Sequence, residues 1–244
     1  MRGARAALAF LTRLPAGRLE GADFARAPAW FGIVGLLIGV VQAAIFIASS
    51  MVWPPVIAAM LAVAGGLLLT GALHEDGLAD TWDGLGSGQP KARALDIMRD
   101  SRIGSYGTLA LIVALGLRVG ALAAMGPIAP WVLIAGQGAS RAAMSLMLRA
   151  GPYLRTKGAG TGMTGPLGMP GLVVLAIAFA AAFGLVGWSV GAYAVLAGGI
   201  GLTVGAMAVR QWALRRLDGL TGDILGAAQV TGDIGFLLGV LACL

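Results

Sequence analysis

Cysteine, histidine and charge are all scarce in this chain of 244 residues, and each scarcity removes a class of explanation. The single cysteine, Cys243, cannot close an intramolecular disulfide. With His74 the only histidine, a zinc site of the usual nitrogen and sulfur ligands has almost nothing to draw on. Charged residues make up 11% of the chain, against about 25% in an ordinary soluble domain. The formal charge of +6 invites a nucleic-acid reading, but the basic residues are spread over several loops without interleaved aromatics, and aromatics total only 7%. No nucleic-acid partner is expected.

What is abundant is apolar surface. The sequence is 58% hydrophobic with 40 glycines, and its mean hydropathy is +0.88. Seven runs approach the ~20 apolar residues that cross a bilayer: Trp30–Ser49, Pro54–Leu73, Thr108–Met125, Ile128–Leu148, Leu172–Trp188, Ala192–Val209 and Ile224–Cys243. Breaks at Pro54-Pro55, Gly126-Pro127 and Gly187 to Gly191 separate them. The expected fold is all-α: one polytopic bundle over residues 1–244, with about seven transmembrane helices in a lipid bilayer. Glycine is so common that any single Gly-x-x-x-Gly is background. Small-residue spans permit a homodimer and equally a monomer's own packing.

The arginines and lysines orient the chain. Fifteen of the seventeen fall before span one, or between spans two and three, four and five, and six and seven. The short turns on the other side hold none, which puts the N-terminus in the cytoplasm and the C-terminus outside. Residues 1–28 carry five arginines and no small-residue cleavage site, so no signal peptide is expected; Arg5 to Leu14 reads as a short amphipathic helix on the membrane. A transporter needs polar groups along a path through the membrane. Here the acids lie in or at the edges of the cytoplasmic segments, except Asp233, which favours an enzyme working on one face.

Six of the eleven acids lie between Glu75 and Asp100, within the segment 74–107. Asp76, Asp80 and Asp83 are spaced i, i+4, i+7, one stripe of a helix. Carboxylates so arranged repel one another unless a cation sits among them, and hard oxygen ligands suit Mg²⁺. Asp223, which opens the last span behind the expected N-cap Thr221, is a candidate fourth ligand. Glu75 points off the stripe and reads as solvent-facing. His74 is a candidate general base or a structural residue. A second cluster, Asp96 to Gly107, mixes acids with Arg99 and Arg102, as a phosphoryl-transfer site does when metal and arginine share developing charge. Two arginines, Arg118 and Arg141, lie inside spans, where an ionisable group is costly and by default functional. Asp233, also inside a span, needs a partner, and Arg118 or Arg141 would serve. Arg149, Tyr153, Arg155 and Lys157 follow span four, before a loop-like stretch from Gly158 to Gly168.

These pieces together resemble a known family. Phe10-Leu11-Thr12-Arg13-Leu14-Pro15, Asp76-Gly77-Leu78-Ala79-Asp80-Thr81 with Asp83-Gly84, and Ile97-Met98-Arg99-Asp100-Ser101-Arg102-Ile103-Gly104 are followed by Ser140-Arg141, Tyr153 with Arg155, and Leu220-Thr221-Gly222-Asp223 with Leu225-Gly226-Ala227. In that order, from end to end, they resemble the cobalamin-5′-phosphate synthases, or adenosylcobinamide-GDP ribazoletransferases. Two positions depart from the family pattern: Glu75, where the family usually has Leu, and Val230, where it often has an acid. The resemblance implies a Mg²⁺-dependent transferase of a bacterial inner membrane with a cytoplasmic active site. It would join adenosylcobinamide-GDP to α-ribazole, or its 5′-phosphate, and release GMP. On that reading Asp76, Asp80, Asp83 and Asp223 are the expected metal ligands. Asp83, His74 and Asp100 are the expected catalytic groups, and Arg99, Arg102, Arg141, Arg155 and Thr221 the expected substrate contacts. A looser similarity of pattern to the CDP-alcohol phosphotransferases, which also displace a nucleoside monophosphate, makes a lipid-forming enzyme the alternative, with a membrane transporter behind it.

Overall fold

In the computed structural model, residues 2–154 and 162–244 are described, and every regular element among them is helical. The helices are α1 (Arg2–Leu11), α2 (Gly21–Phe24), α3 (Phe31–Ser50), α4 (Pro55–Thr70), α5 (Leu73–Gly86), α6 (Lys91–Ile97), α7 (Ser105–Met125), α8 (Ala129–Met147), α9 (Gly168–Ser189), α10 (Ala192–Leu217) and α11 (Gly222–Leu241). Among the described residues, five helical stretches are long and apolar enough to cross a membrane, or six if a bent pair is taken as one span. The expected count is seven, and length and composition by themselves give five or six. The stretch 105–147 enters once although it is 43 residues long, about 65 Å at 1.5 Å per residue. It is interrupted at Gly126, whose φ is +54°. The chain is a multi-pass membrane protein on this evidence of length and composition.

The bent pair positions the acidic segment. α4 ends at Gly71 and Ala72, both left-handed with φ +67° and +54°, and both N–H groups donate to the Leu67 carbonyl. Glycine takes that conformation without the steric cost a Cβ brings. The chain restarts at a 90° angle as α5, so an apolar span is followed by a helix that carries acids. The Arg13 N–H donates to the Leu69 carbonyl at 2.8 Å, so the Phe10–Pro15 motif satisfies one of the open carbonyls at the end of α4.

α1 overlaps the helix expected over Arg5 to Leu14. Its Ala6, Ala7 and Leu11 are fully buried in the protein's own core beside Ala27 and Phe31. Leu8, Ala9 and Phe10 stay partly exposed, and Leu14 beyond the helix is exposed.

Glycine also carries the closest packing. A Cβ on Gly201 would land on the Gly235 carbonyl, one on Gly205 on the Thr231 carbonyl, and one on Gly239 on the Ala197 carbonyl. α10 and α11 therefore touch backbone to backbone, the arrangement small residues allow where lipid supplies no hydrophobic drive between helices. One core cluster, with Leu78, Leu85, Met98, Ile224 and Leu225, lies beneath the acidic helix and ties it to α11.

Candidate active site at the helix break

α5 is helical throughout, so the stripe spacing holds: Asp76 is exposed, Asp80 half-buried and Asp83 buried. Asp76 and Asp80 line a cavity of about 450 Å³ with Glu75, Arg99, Asp100 and Ser101, roofed by the turn that joins α6 to α7. Asp83 has another task. Its Oδ2 accepts from the Gly104 N–H at 2.7 Å and its Oδ1 from the Gly107 N–H at 2.8 Å. A carboxylate from α5 thus satisfies the open N–H groups at the start of α7, where the helix dipole also favours a negative charge. A Cβ on Gly104 or on Gly107 would strike that carboxylate, so both positions need glycine.

Asp100 lines the same cavity and is held in place by Arg102. The Arg102 guanidinium grips Asp100 with Nη2 to Oδ2 at 2.7 Å and Nε to Oδ1 at 3.0 Å, and its backbone N–H adds a bond to Oδ1. That grip lowers the Asp100 carboxyl to about 2. Arg99 pairs loosely with Asp96 at 3.7 Å and lines the acidic cavity.

The intramembrane charges gather in one buried network next to this cavity. Arg118, thirteen residues past Ser105, donates through Nη1 to Glu75 Oε1 at 2.6 Å and through Nη2 to Asp233 Oδ2 at 2.7 Å. Gln137 Nε2 also donates to Asp233 Oδ2, at 2.9 Å, and its Oε1 accepts from Arg141 Nη1 at 2.6 Å. Arg141 Nη2 lies 3.4 Å from His74 Nδ1. Two arginines against two carboxylates leave the cluster neutral, the condition under which such groups tolerate a low-dielectric interior. Glu75, expected at the solvent, is buried and paired. Asp233 takes Arg118, one of its two expected partners. Arg141 and His74, expected at substrate, are 3% exposed and bonded inside the bundle. The member of this network not singled out from the sequence is Gln137, an amide in an otherwise apolar run that links Asp233 to Arg141; a second such amide, Gln229, donates through Nε2 to Ser140 Oγ at 2.8 Å.

Thr221 is the N-cap of α11, with its hydroxyl accepting from the Ile224 N–H at 3.4 Å, and is fully buried. Gly77 faces the Asp223 backbone so closely that a Cβ there would sit 2.8 Å from the Asp223 carbonyl oxygen. Asp223 is therefore brought beside the residue that follows Asp76. The strand-like pairing of Pro152–Leu154 with Leu220 brings the next segment to the same place, with Leu154 N–H to Leu220 O at 2.9 Å. Arg155, Lys157 and most of the loop-like stretch's first residues lie outside the described residues.

Among the described residues, no three His, Cys, Asp or Glu side chains form a group that holds a metal ion unaided. Mg²⁺ is commonly held by only one or two carboxylates, with water and substrate phosphate completing its shell. Asp76 and Asp80, oxygen donors one helical turn apart on a cavity wall, fit that requirement; Asp83 lies outside that cavity, with each oxygen accepting from a backbone N–H group.

Comparison with known proteins covers nearly the whole chain. A family model described as cobalamin-5-phosphate synthase matches residues 3–241. A relative from Bradyrhizobium diazoefficiens named adenosylcobinamide-GDP ribazoletransferase is 43% identical over 242 residues, covering 96% of this chain and 91% of its own length. One of the same name from Azorhizobium caulinodans is 44% identical over 249 residues, covering 97% and 94%. A third from Leptothrix cholodnii is 36% identical over 258 residues, covering 97% and 93%. No solved structure matches.

Proposed function

This chain belongs to the cobalamin-5-phosphate synthase family and is a transferase of cobalamin biosynthesis, and we propose that it joins adenosylcobinamide-GDP to α-ribazole, or its 5′-phosphate, with release of GMP. The observation that carries this reading is the cavity at the helix break. It brings Asp76 and Asp80 into one cavity with Arg99, the mixture of acid and base that a pyrophosphate and its counter-ion require.

In the proposed reaction the acceptor hydroxyl oxygen forms a bond to the phosphorus next to the cobinamide arm. The bond from that phosphorus to the bridging oxygen breaks, and the GMP phosphate leaves with the electron pair. Mg²⁺ held by Asp76 and Asp80 would offset the negative charge that gathers on the pyrophosphate. Arg99, which lines the same cavity, neutralises a phosphate oxygen. Asp83 holds the start of α7, and with it the Asp100–Arg102 turn, against α5. Glu75 fixes the cavity wall to Arg118 behind it. The hydroxyl proton passes to a carboxylate of the cavity, because His74 is enclosed by Arg141 and does not line it. The proposed location is a bacterial inner membrane, with this cavity on the cytoplasmic side.

The test is incubation of the purified protein with adenosylcobinamide-GDP, α-ribazole and Mg²⁺. GMP is the expected product, and its absence in every lipid and detergent tried would overturn the reading. Asp80→Asn is expected to raise the Mg²⁺ concentration needed for half-maximal rate by about tenfold or more. Near-normal turnover of that variant at low Mg²⁺ would remove the metal assignment.

A further inference from the structure

Beyond Asp100 and Ile103, a second cavity of about 460 Å³ adjoins the acidic one, which shares those two residues, and its wall includes Arg93, Asp96, Arg102 and Tyr106. We propose that this second cavity receives the guanine base of the donor nucleotide, and that Asp96 selects guanine by accepting from its N1–H and N2–H groups. The inference rests on the transferase reading above and adds a specificity-determining residue to it.

Elimination among the acids points to Asp96. Three carboxylates line the second cavity. Asp83 is occupied by the Gly104 and Gly107 N–H groups, and Asp100 by Arg102. Among the described residues, the Asp96 side chain meets only Arg99, three residues on, at 3.7 Å with both side chains 62% exposed. That is beyond hydrogen-bond distance. A carboxylate presents two acceptors side by side, and guanine presents two parallel donors on one edge. Hypoxanthine keeps one of those donors. Adenine places an acceptor, its ring N1, where guanine has a donor.

The surroundings suit a nucleotide. Arg93, on the same wall, makes no ion pair among the described residues and stands one helical turn before Asp96, so its charge is available to a phosphate. Tyr106 supplies an aromatic wall, with its ring held beside Gly86, where a Cβ would come within 3.2 Å of Cδ1. Because the cavities adjoin, one donor can lay its pyrophosphate over Asp76 and Asp80 and reach the second cavity with its nucleoside.

The experiment is equilibrium binding of GMP, IMP and AMP to the full-length protein in detergent micelles, with the wild type, Asp96→Ala and Asp96→Asn. The wild type is expected to bind GMP most tightly, IMP less and AMP least, with GMP ahead of AMP by about tenfold or more. Both variants are expected to lose that preference; Asn cannot serve, because it offers one acceptor and turns a donor toward guanine's second N–H. Equal affinity of the wild type for GMP and AMP, or for GMP and IMP, overturns the assignment. So does a GMP preference that persists in both variants. If the wild type shows the preference and the variants lose it, while no GMP is released from adenosylcobinamide-GDP, the base site stands and the transferase reading falls.

Discussion

At the residue scale, Asp83 ties the acidic helix to the start of α7. It stands in register with Asp76 and Asp80, but its environment makes it a cap for a helix that begins twenty-two residues later. Asp83→Asn replaces one acceptor by a donor and leaves an N–H of Gly104 or Gly107 without its bond, at a cost of about 1–3 kcal/mol. The expected outcome is a lower midpoint of apparent thermal unfolding, with the Mg²⁺ dependence of the remaining activity unchanged; Asp80→Asn is expected to do the reverse. The Asp100–Arg102 pair makes a separate prediction. A carboxyl lowered from its ordinary 3.8 to about 2 favours the folded turn at all pH values above its unfolded titration, and that preference fades as pH falls through about 2. The turn is therefore expected to stay clasped across the whole working range. A carboxyl ¹³C titration should place the Asp100 midpoint near 2, and Arg102→Gln should return it toward 3.8.

Arg118 is costly to remove because two carboxylates depend on it. Arg118→Met leaves Glu75 and Asp233 buried without their cation, at about 3–5 kcal/mol, while removing all three charges together is expected to recover much of the loss. Apparent melting of the single and triple variants in micelles checks this. A triple variant as unstable as the single one would mean the residues do not act as a neutral unit.

At the scale of elements, the decisive feature is the 90° break between α4 and α5. It converts the end of an apolar hairpin into a platform on which acids can stand in water. The α10–α11 contact is the second element-scale feature. Gly201→Val must push apart two backbones in contact, so the variant is expected to lose folded protein, read as loss of the monodisperse peak on size-exclusion chromatography. The acidic helix itself was legible in the sequence, because i, i+4, i+7 spacing follows from helical geometry alone. The bend before it was not, since it depends on two consecutive left-handed residues, and one of them is Ala72.

At the scale of the whole molecule, the sidedness of the charges carries a prediction of its own. Cys243 is the only cysteine, and it is exposed near the end of the chain. If the basic segments face the cytoplasm across an odd number of crossings, a membrane-impermeant maleimide added to intact spheroplasts labels Cys243 at once. Labelling only after permeabilisation would put both ends on the same side and require an even number.

The sequence by itself determined the class of molecule, the helix that carries the acids, and the segments that carry its chemistry. Those follow from composition and period, which are local properties of the chain. Only the tertiary structure decided which charges meet. Asp83 became a cap, Glu75 turned inward to Arg118, and Arg141 and His74 withdrew into the bundle, while Asp76, Asp80 and Asp96 line the cavities beside α5. Such pairings join residues far apart in the chain, such as Arg118 with Asp233. A buried charge is governed by the nearest opposite charge in space, which spacing along the chain does not report.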